Sequence, residues 1–162
     1  MRESFNFFHP VTVRWADMDS FSHVNNAVYF TYCESARMAY FAAVRLDDAR
    51  SKPSLGPALA QASLNFRRQV HYPAELEVGA RATGVSGRSF QLDYAIFVAG
   101  SDEIVADGSS VVVWVDYEVG KSVPLPDDLK ERIYDLDPAS RPGGAPETSK
   151  GSSQDHSTEK PR

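Results

Sequence analysis

Apolar and polar side chains alternate through Val11-Thr12-Val13-Arg14-Trp15, the period of a half-buried strand. A turn-rich stretch follows, Asp17-Met18-Asp19-Ser20-Phe21-Ser22-His23. From about Val24 to Arg45 the period becomes helical: Tyr29, Tyr32, Cys33, Ala36, Tyr40, Ala43 and Val44 leave only a stripe through Thr31, Glu34, Ser35, Met38 and Arg45 that is not part of an apolar surface. A helix this apolar must be buried on most sides, as one gripped by a curved sheet would be. After a loop with Pro53, Gly56 and Pro57, alternation returns in Ala62 to Tyr72, in Leu76 to Ala82 and in Phe90 to Val98, and a last strand runs from about Glu103 to Tyr117. Tyr72-Pro73, Ser86-Gly87 and Gly100-Ser101 read as hairpin turns, so these strands are expected to pair antiparallel. A short helix from Pro126 to Leu136 carries acids in its first turn, where the helix dipole favours them. One strand, one long buried helix and about four consecutive strands is an α+β order.

From Pro138 to Arg162 no apolar side chain is larger than alanine, so that stretch has too little surface to bury to offset the entropy of ordering it. The expectation is a working domain over 1–137 and a disordered tail over 138–162. The net charge of −5 is unevenly spread: residues 1–137 hold 13 Lys and Arg against 19 Asp and Glu, and the remainder holds 4 against 3. An acidic body without a basic cluster argues against nucleic acid. No apolar run approaches a membrane span and the first residues lack the apolar stretch of a secretory signal, which gives the expectation of a cytoplasmic protein with no membrane partner. The single cysteine, Cys33, has no thiol partner and reads as buried and inert, and the four histidines show no metal-ligand spacing. No metal and no cofactor are expected.

The segment between the first strand and the buried helix holds two carboxylates, Asp17 and Asp19, and a histidine, His23. Unpaired backbone N–H groups at a helix N-terminus favour negative charge, so a thioester carbonyl seated there would be polarised, and a neighbouring carboxylate could attack it or activate a water. Asp, Ser and Asn before a helix are also ordinary capping residues, and Asp17, Ser22 and Asn25 fit that role. Glu34 lies about 15 Å along the helix from its start, too far to serve the same place, and an intrahelical pair with Arg37 is expected instead. No glycine loop of the phosphate-cradling kind is present, so any grip on coenzyme A falls to scattered arginines such as Arg67, Arg68, Arg81 and Arg88.

The string DMDSFSHVNNAVYFTYCESAR resembles the opening motif of the 4-hydroxybenzoyl-CoA thioesterase family of hotdog enzymes, and VHYPAELEVGARATGVSGRSFQLDYAIF resembles the same family's middle strands. The likeness spans about residues 8–136. It implies a hotdog fold, a curved antiparallel sheet wrapped around one long central helix. It also implies hydrolysis of an acyl-CoA or acyl-carrier-protein thioester, with Asp19 as nucleophile or general base and the backbone N–H of Asn26 holding the thioester oxygen. The His23-Val24-Asn25-Asn26 form looks more like bacterial fatty acyl-CoA and plant acyl-carrier-protein thioesterases, which makes His23 a second catalytic candidate. Asn25, Tyr29, Arg67 and Arg68 are the candidates for holding substrate. A homodimer or homotetramer is implied, because one sheet folded round one helix leaves its edges open. The alternatives are a hotdog hydratase or dehydratase, whose His-Phe-Pro-Gly and Asn-Pro-x-His stretches are absent, and a non-catalytic acyl-CoA-binding protein.

Overall fold

The computed structural model describes residues 1–143. Its elements are β1 (Phe7–Thr12), α1 (Asn26–Ala43), β2 (Leu55–Phe66), β3 (Glu75–Val85), β4 (Ser89–Val98), β5 (Ile104–Asp116), β6 (Lys121–Ser122) and α2 (Asp127–Leu136). The strands form one antiparallel sheet in the order β1-β3-β4-β5-β2, with the short β6 on β5. Alternate residues of β3, β4 and β5 (Val78, Ala80, Leu92, Ile96, Val112, Trp114) point to one face and pack with Tyr32, Cys33, Ala36 and Tyr40 of α1. Register shifts at Leu59/Gln61, Ala82/Gly84 and Ile96/Phe97 interrupt the ladders, and irregularities of this kind bend strands, here allowing the sheet to curl round the helix. This is the hotdog architecture.

Three strand expectations need correction. The first strand is Phe7–Thr12 rather than 11–15. The alternation at 11–15 was misleading because the Arg14 backbone N–H donates to the Asp17 carboxylate and Trp15–Asp17 turn into a 3-10 helix, leaving Trp15 exposed. Pro10 is tolerated because β1 lies at the sheet's edge. The second strand begins at Leu55 and takes in Gly56 and Pro57, which the sequence suggested were loop, and β2 is the opposite edge strand, where a missing N–H is again harmless. Tyr72-Pro73 is a cis peptide but not a hairpin turn, since β2 pairs with β5 and β3 with β1. The other two turns do join antiparallel neighbours. Gly108 faces β2 so closely that a Cβ there would lie 2.0 Å from the carbonyl oxygen of Ser63, so the β2–β5 contact requires glycine.

α1 buries Tyr29, Tyr32, Cys33, Ala36, Arg37, Tyr40 and Phe41, while Thr31, Glu34, Ser35 and Met38 lie on its exposed side as the pattern indicated. α2 buries Leu129, Ile133 and Tyr134. Beyond it the chain stays packed: Asp137 accepts hydrogen bonds from Tyr40 Oη at 2.5 Å and from the backbone N–H of Ala82 at 2.8 Å. Pro138–Ser140 make a 3-10 turn with Ser140 buried, and Arg141 pairs with Glu131 at 2.7 Å. The start of the expected tail is thus part of the folded body, and its remainder, 144–162, lies outside the described residues.

Candidate active site

Met18 and Val24 pair as an isolated antiparallel bridge, which makes residues 19–23 the tip of a small loop. Inside it the backbone N–H of Asp19 donates to His23 O at 2.8 Å and that of Ser22 to Asp19 O at 3.0 Å. The Asp19 carboxylate turns inward as a local cap, Oδ1 accepting from the backbone N–H of Phe21 at 2.8 Å and of His23 at 3.3 Å. Ser22 closes the turn with a φ of 62°, a left-handed conformation uncommon for a non-glycine residue.

Asp17 pins this loop to the domain. Its carboxylate is buried and accepts from Arg14 Nη2 at 2.7 Å and from Tyr32 Oη at 2.7 Å, and its carbonyl accepts the N–H of Asn25 at 2.9 Å. Burial alone would push this carboxyl's pKa up, but the hydrogen bonds from Arg14 and Tyr32 outweigh it and hold the group below the usual range. Burial, together with the same bond, drives the Tyr32 phenol far up. Asp17 is a structural residue.

Asn25 is the N-cap of α1, its Oδ1 accepting from the N–H of Ala27 at 2.9 Å, so that oxygen already has a partner. The N–H of Val28 reaches Asn25 O, whereas the N–H of Asn26, exposed at the helix start, has no acceptor among the described residues. That is the free donor expected of a helix N-terminus.

An open cleft of about 600 Å³ lies over the loop, walled by Trp15, Asp19, Ser22, His71 and Tyr72 among others. Trp15 and Tyr72 are exposed aromatic rings. His23 stands behind His71, the two rings meeting edge to face at 4.7 Å, and His71 Nδ1 bonds Ser22 O at 2.9 Å. The other sequence candidates are not brought to this cleft. Tyr29 is buried against Tyr32 and Phe66. Arg67 forms a bidentate pair with Asp107 and Arg68 an ion pair with Glu103, both at the start of β5. Cys33 is buried and its thiol pushed up to about 12, so it stays protonated and inert. The expected Glu34–Arg37 pair does not form: Arg37 turns into the core toward Tyr94 and Glu34 stays exposed. Among the described residues no group of three or more His, Cys, Asp or Glu is placed to hold a metal, and no helix is long and apolar enough to cross a membrane. His71 and Tyr72 were missed by sequence reasoning because they stand at the end of an apparent strand, far along the chain from Asp19.

A curled antiparallel sheet gripping one helix, with a carboxylate-bearing loop at the helix start, is the hotdog class of domain. Within that class the chain belongs to the thioesterase-like superfamily, whose family model matches residues 13–133. It is 31% identical over 132 residues to the uncharacterized protein YsmA of Bacillus subtilis, covering 82% of this chain and 88% of that one. It is also 27% identical over 131 residues to the chloroplastic acyl-acyl carrier protein thioesterase ATL3 of Arabidopsis thaliana, covering 78% of this chain and 67% of that one. Among solved structures it is similar to a thioesterase of Thermus thermophilus crystallised with coenzyme A and zinc, with a TM-score of 0.72, 32% identity, and coverage of 86% of this chain and 98% of that one.

Proposed function

We propose that the protein hydrolyses an acyl thioester of coenzyme A or of acyl carrier protein, with Asp19 as the reacting carboxylate and the Asn26 N–H as the donor that receives the developing oxyanion. The observation that carries this is a carboxylate held at the wall of an open cleft, in the loop that leads into a helix whose first N–H, that of Asn26, has no acceptor among the described residues. Such a donor is worth most where charge develops in the transition state. Oδ1 of Asp19 is held by two backbone N–H groups, which leaves the other oxygen to attack the thioester carbon or to take a proton from water. In the first case a mixed anhydride forms as the thiolate leaves, and water then releases the acid. In the second, water adds directly and its proton passes to Asp19 before the thiol departs.

The thioesterase names of the family and of the Arabidopsis and Thermus relatives support this chemistry, and coenzyme A in the Thermus structure supports that carrier. The His-Val-Asn-Asn form at 23–26 favours a fatty acyl group over hydroxybenzoyl. His23, which touches His71 rather than the cleft's wall, would act through His71 or not at all. A homodimer or larger assembly of like chains is part of the proposal, since β2 offers a free edge and α1 exposes Phe30 and Met38. A cytoplasmic location goes with a soluble acyl carrier.

The test is a screen of acyl-CoAs of graded chain length with a thiol-trapping dye, followed by Asp19→Asn on the best substrate. Turnover is expected to drop by about 100-fold or more, with stability changed by about 1 kcal/mol or less. If Asp19→Asn turns over near the wild-type rate, the assignment is wrong.

A further inference from the structure

Arg37 is the most anomalous charge in the molecule. It sits two-thirds of the way along α1 and is only 8% exposed, yet its one hydrogen bond is from Nη1 to Tyr94 Oη at 3.4 Å, and it forms no ion pair among the described residues. Arginine stays charged inside proteins, and the guanidinium nitrogens of Arg37 that make no hydrogen bond are not sealed off but keep contact with the open space beside them. Every other strongly buried charged group has been given partners: Asp17 by Arg14 and Tyr32, Asp116 by Lys52, Asp137 by Tyr40 and Ala82.

The guanidinium opens on a second cavity, of about 70 Å³, between α1 and the edge strand β2, whose wall includes Phe30, Cys33, Glu34, Leu59, Ala62 and Tyr94 and so lies on the face proposed above to meet a second copy of the chain. It is separate from the cleft at Asp19, sharing none of that cleft's lining residues. Glu34 stands on its exposed side, where water screens it, while Tyr94 is held by Ser110 at 2.7 Å and fixes the inner end. A planar fork with most of its donors unused matches a carboxylate or a phosphate, and the small volume of the cavity favours the smaller of the two, a carboxylate.

We propose that this cavity is a carboxylate-binding subsite with Arg37 as its cation. Two sources share that chemistry. One is the distal carboxylate of a long acyl group whose thioester lies at Asp19, a version that rests on the thioesterase reading; Arg37 stands about 16 Å along α1 from Asn26, a span that favours a medium-length chain. The other is a free small carboxylate.

Calorimetric titration with propionate tests the subsite without reference to turnover. Wild type is expected to bind it, and both Arg37→Met and the cavity-filling Ala62→Leu, at an exposed position, to bind at least tenfold more weakly. Arg37→Met keeps an unbranched chain in the same space while removing the cation; should it fail to fold, Ala62→Leu decides alone. No binding by wild type, or binding by Ala62→Leu as tight as wild type, overturns the proposal, as does undiminished binding by a folded Arg37→Met. Kinetics then separate the sources. If the acyl end is the ligand, Arg37→Met raises KM for ω-carboxydodecanoyl-CoA about tenfold and leaves KM for dodecanoyl-CoA unchanged. If propionate binding is lost while the two KM values keep their ratio, the ligand is a free carboxylate. Failure of wild type to cleave any acyl-CoA sinks the thioesterase reading, while the subsite still stands or falls on propionate binding.

Discussion

His71 Nδ1 lies 2.9 Å from the carbonyl oxygen of Ser22, so the segment between β2 and β3 holds the tip of the Asp19 loop. A carbonyl oxygen can only accept, which puts the His71 proton on Nδ1 and leaves Nε2 as an acceptor when the ring is neutral. His71→Ala should free the strained Ser22 turn. Amide hydrogen exchange across 19–23 is expected to quicken, with a stability loss of about 1 kcal/mol. Unchanged exchange in those residues would show that the bond does not hold the loop.

Asp17→Asn is the matched control for Asp19→Asn. It keeps the shape but opposes an amide to the Arg14 guanidinium, and should cost about 1–3 kcal/mol in denaturant unfolding while leaving the reacting carboxylate in place. The pH dependence follows from the lowered carboxyl. Its contribution is present above the unfolded value near 3.9 and is lost as pH falls through the lower folded value, so the gap between wild type and variant should narrow below about pH 4.

Asp137 has the opposite sign. Burial raises its carboxyl despite the bonds from Tyr40 and Ala82, so the folded state holds the proton to higher pH than the unfolded chain does. Its contribution is full below about pH 3.9 and is lost as pH rises through the raised folded value. Asp137→Asn, which cannot ionise, should therefore flatten the stability profile on the alkaline side of about pH 4. An unaltered slope there would mean that Asp137 titrates alike in both states.

Light scattering at micromolar concentration should give a mass of at least two chains. Two charged substitutions on the exposed side of α1, Phe30→Glu and Met38→Glu, are expected to lower that mass, because both side chains are apolar and unburied in the single chain. A single-chain mass for the wild type would remove the assembly from the proposal.

Much of this was legible in the sequence. α1 was readable because Tyr29, Tyr32, Ala36 and Tyr40 repeat at helical spacing, and β3, β4 and β5 because apolar residues alternate through much of each and glycine-bearing turns separate them. β1 was hidden by Phe7 and Phe8, adjacent aromatics that break a two-residue period while packing on opposite faces: Phe7 against Tyr40, Phe8 against Phe97. The start of β2 was hidden by Gly56 and Pro57, which read as breakers unless the strand is known to be an edge. Asp19 was singled out by the resemblance of its loop to the family motif, which could be seen because that loop is local in sequence. His71 could not, since only tertiary structure brings it to Ser22, and the position of Arg37 was misjudged because helical spacing offers Glu34 as an easy partner.

The strand order also has a temporal side. β3, β4 and β5 zip through short turns, whereas β2 must find β5 across both of those hairpins, with Leu55 opposite Asp116. Contacts so far apart in sequence carry the larger loop-closure penalty and tend to form late. The strand that walls the Arg37 cavity would then arrive after the β3-β4-β5 meander has formed, and the guanidinium would spend the early life of each newly made chain in water.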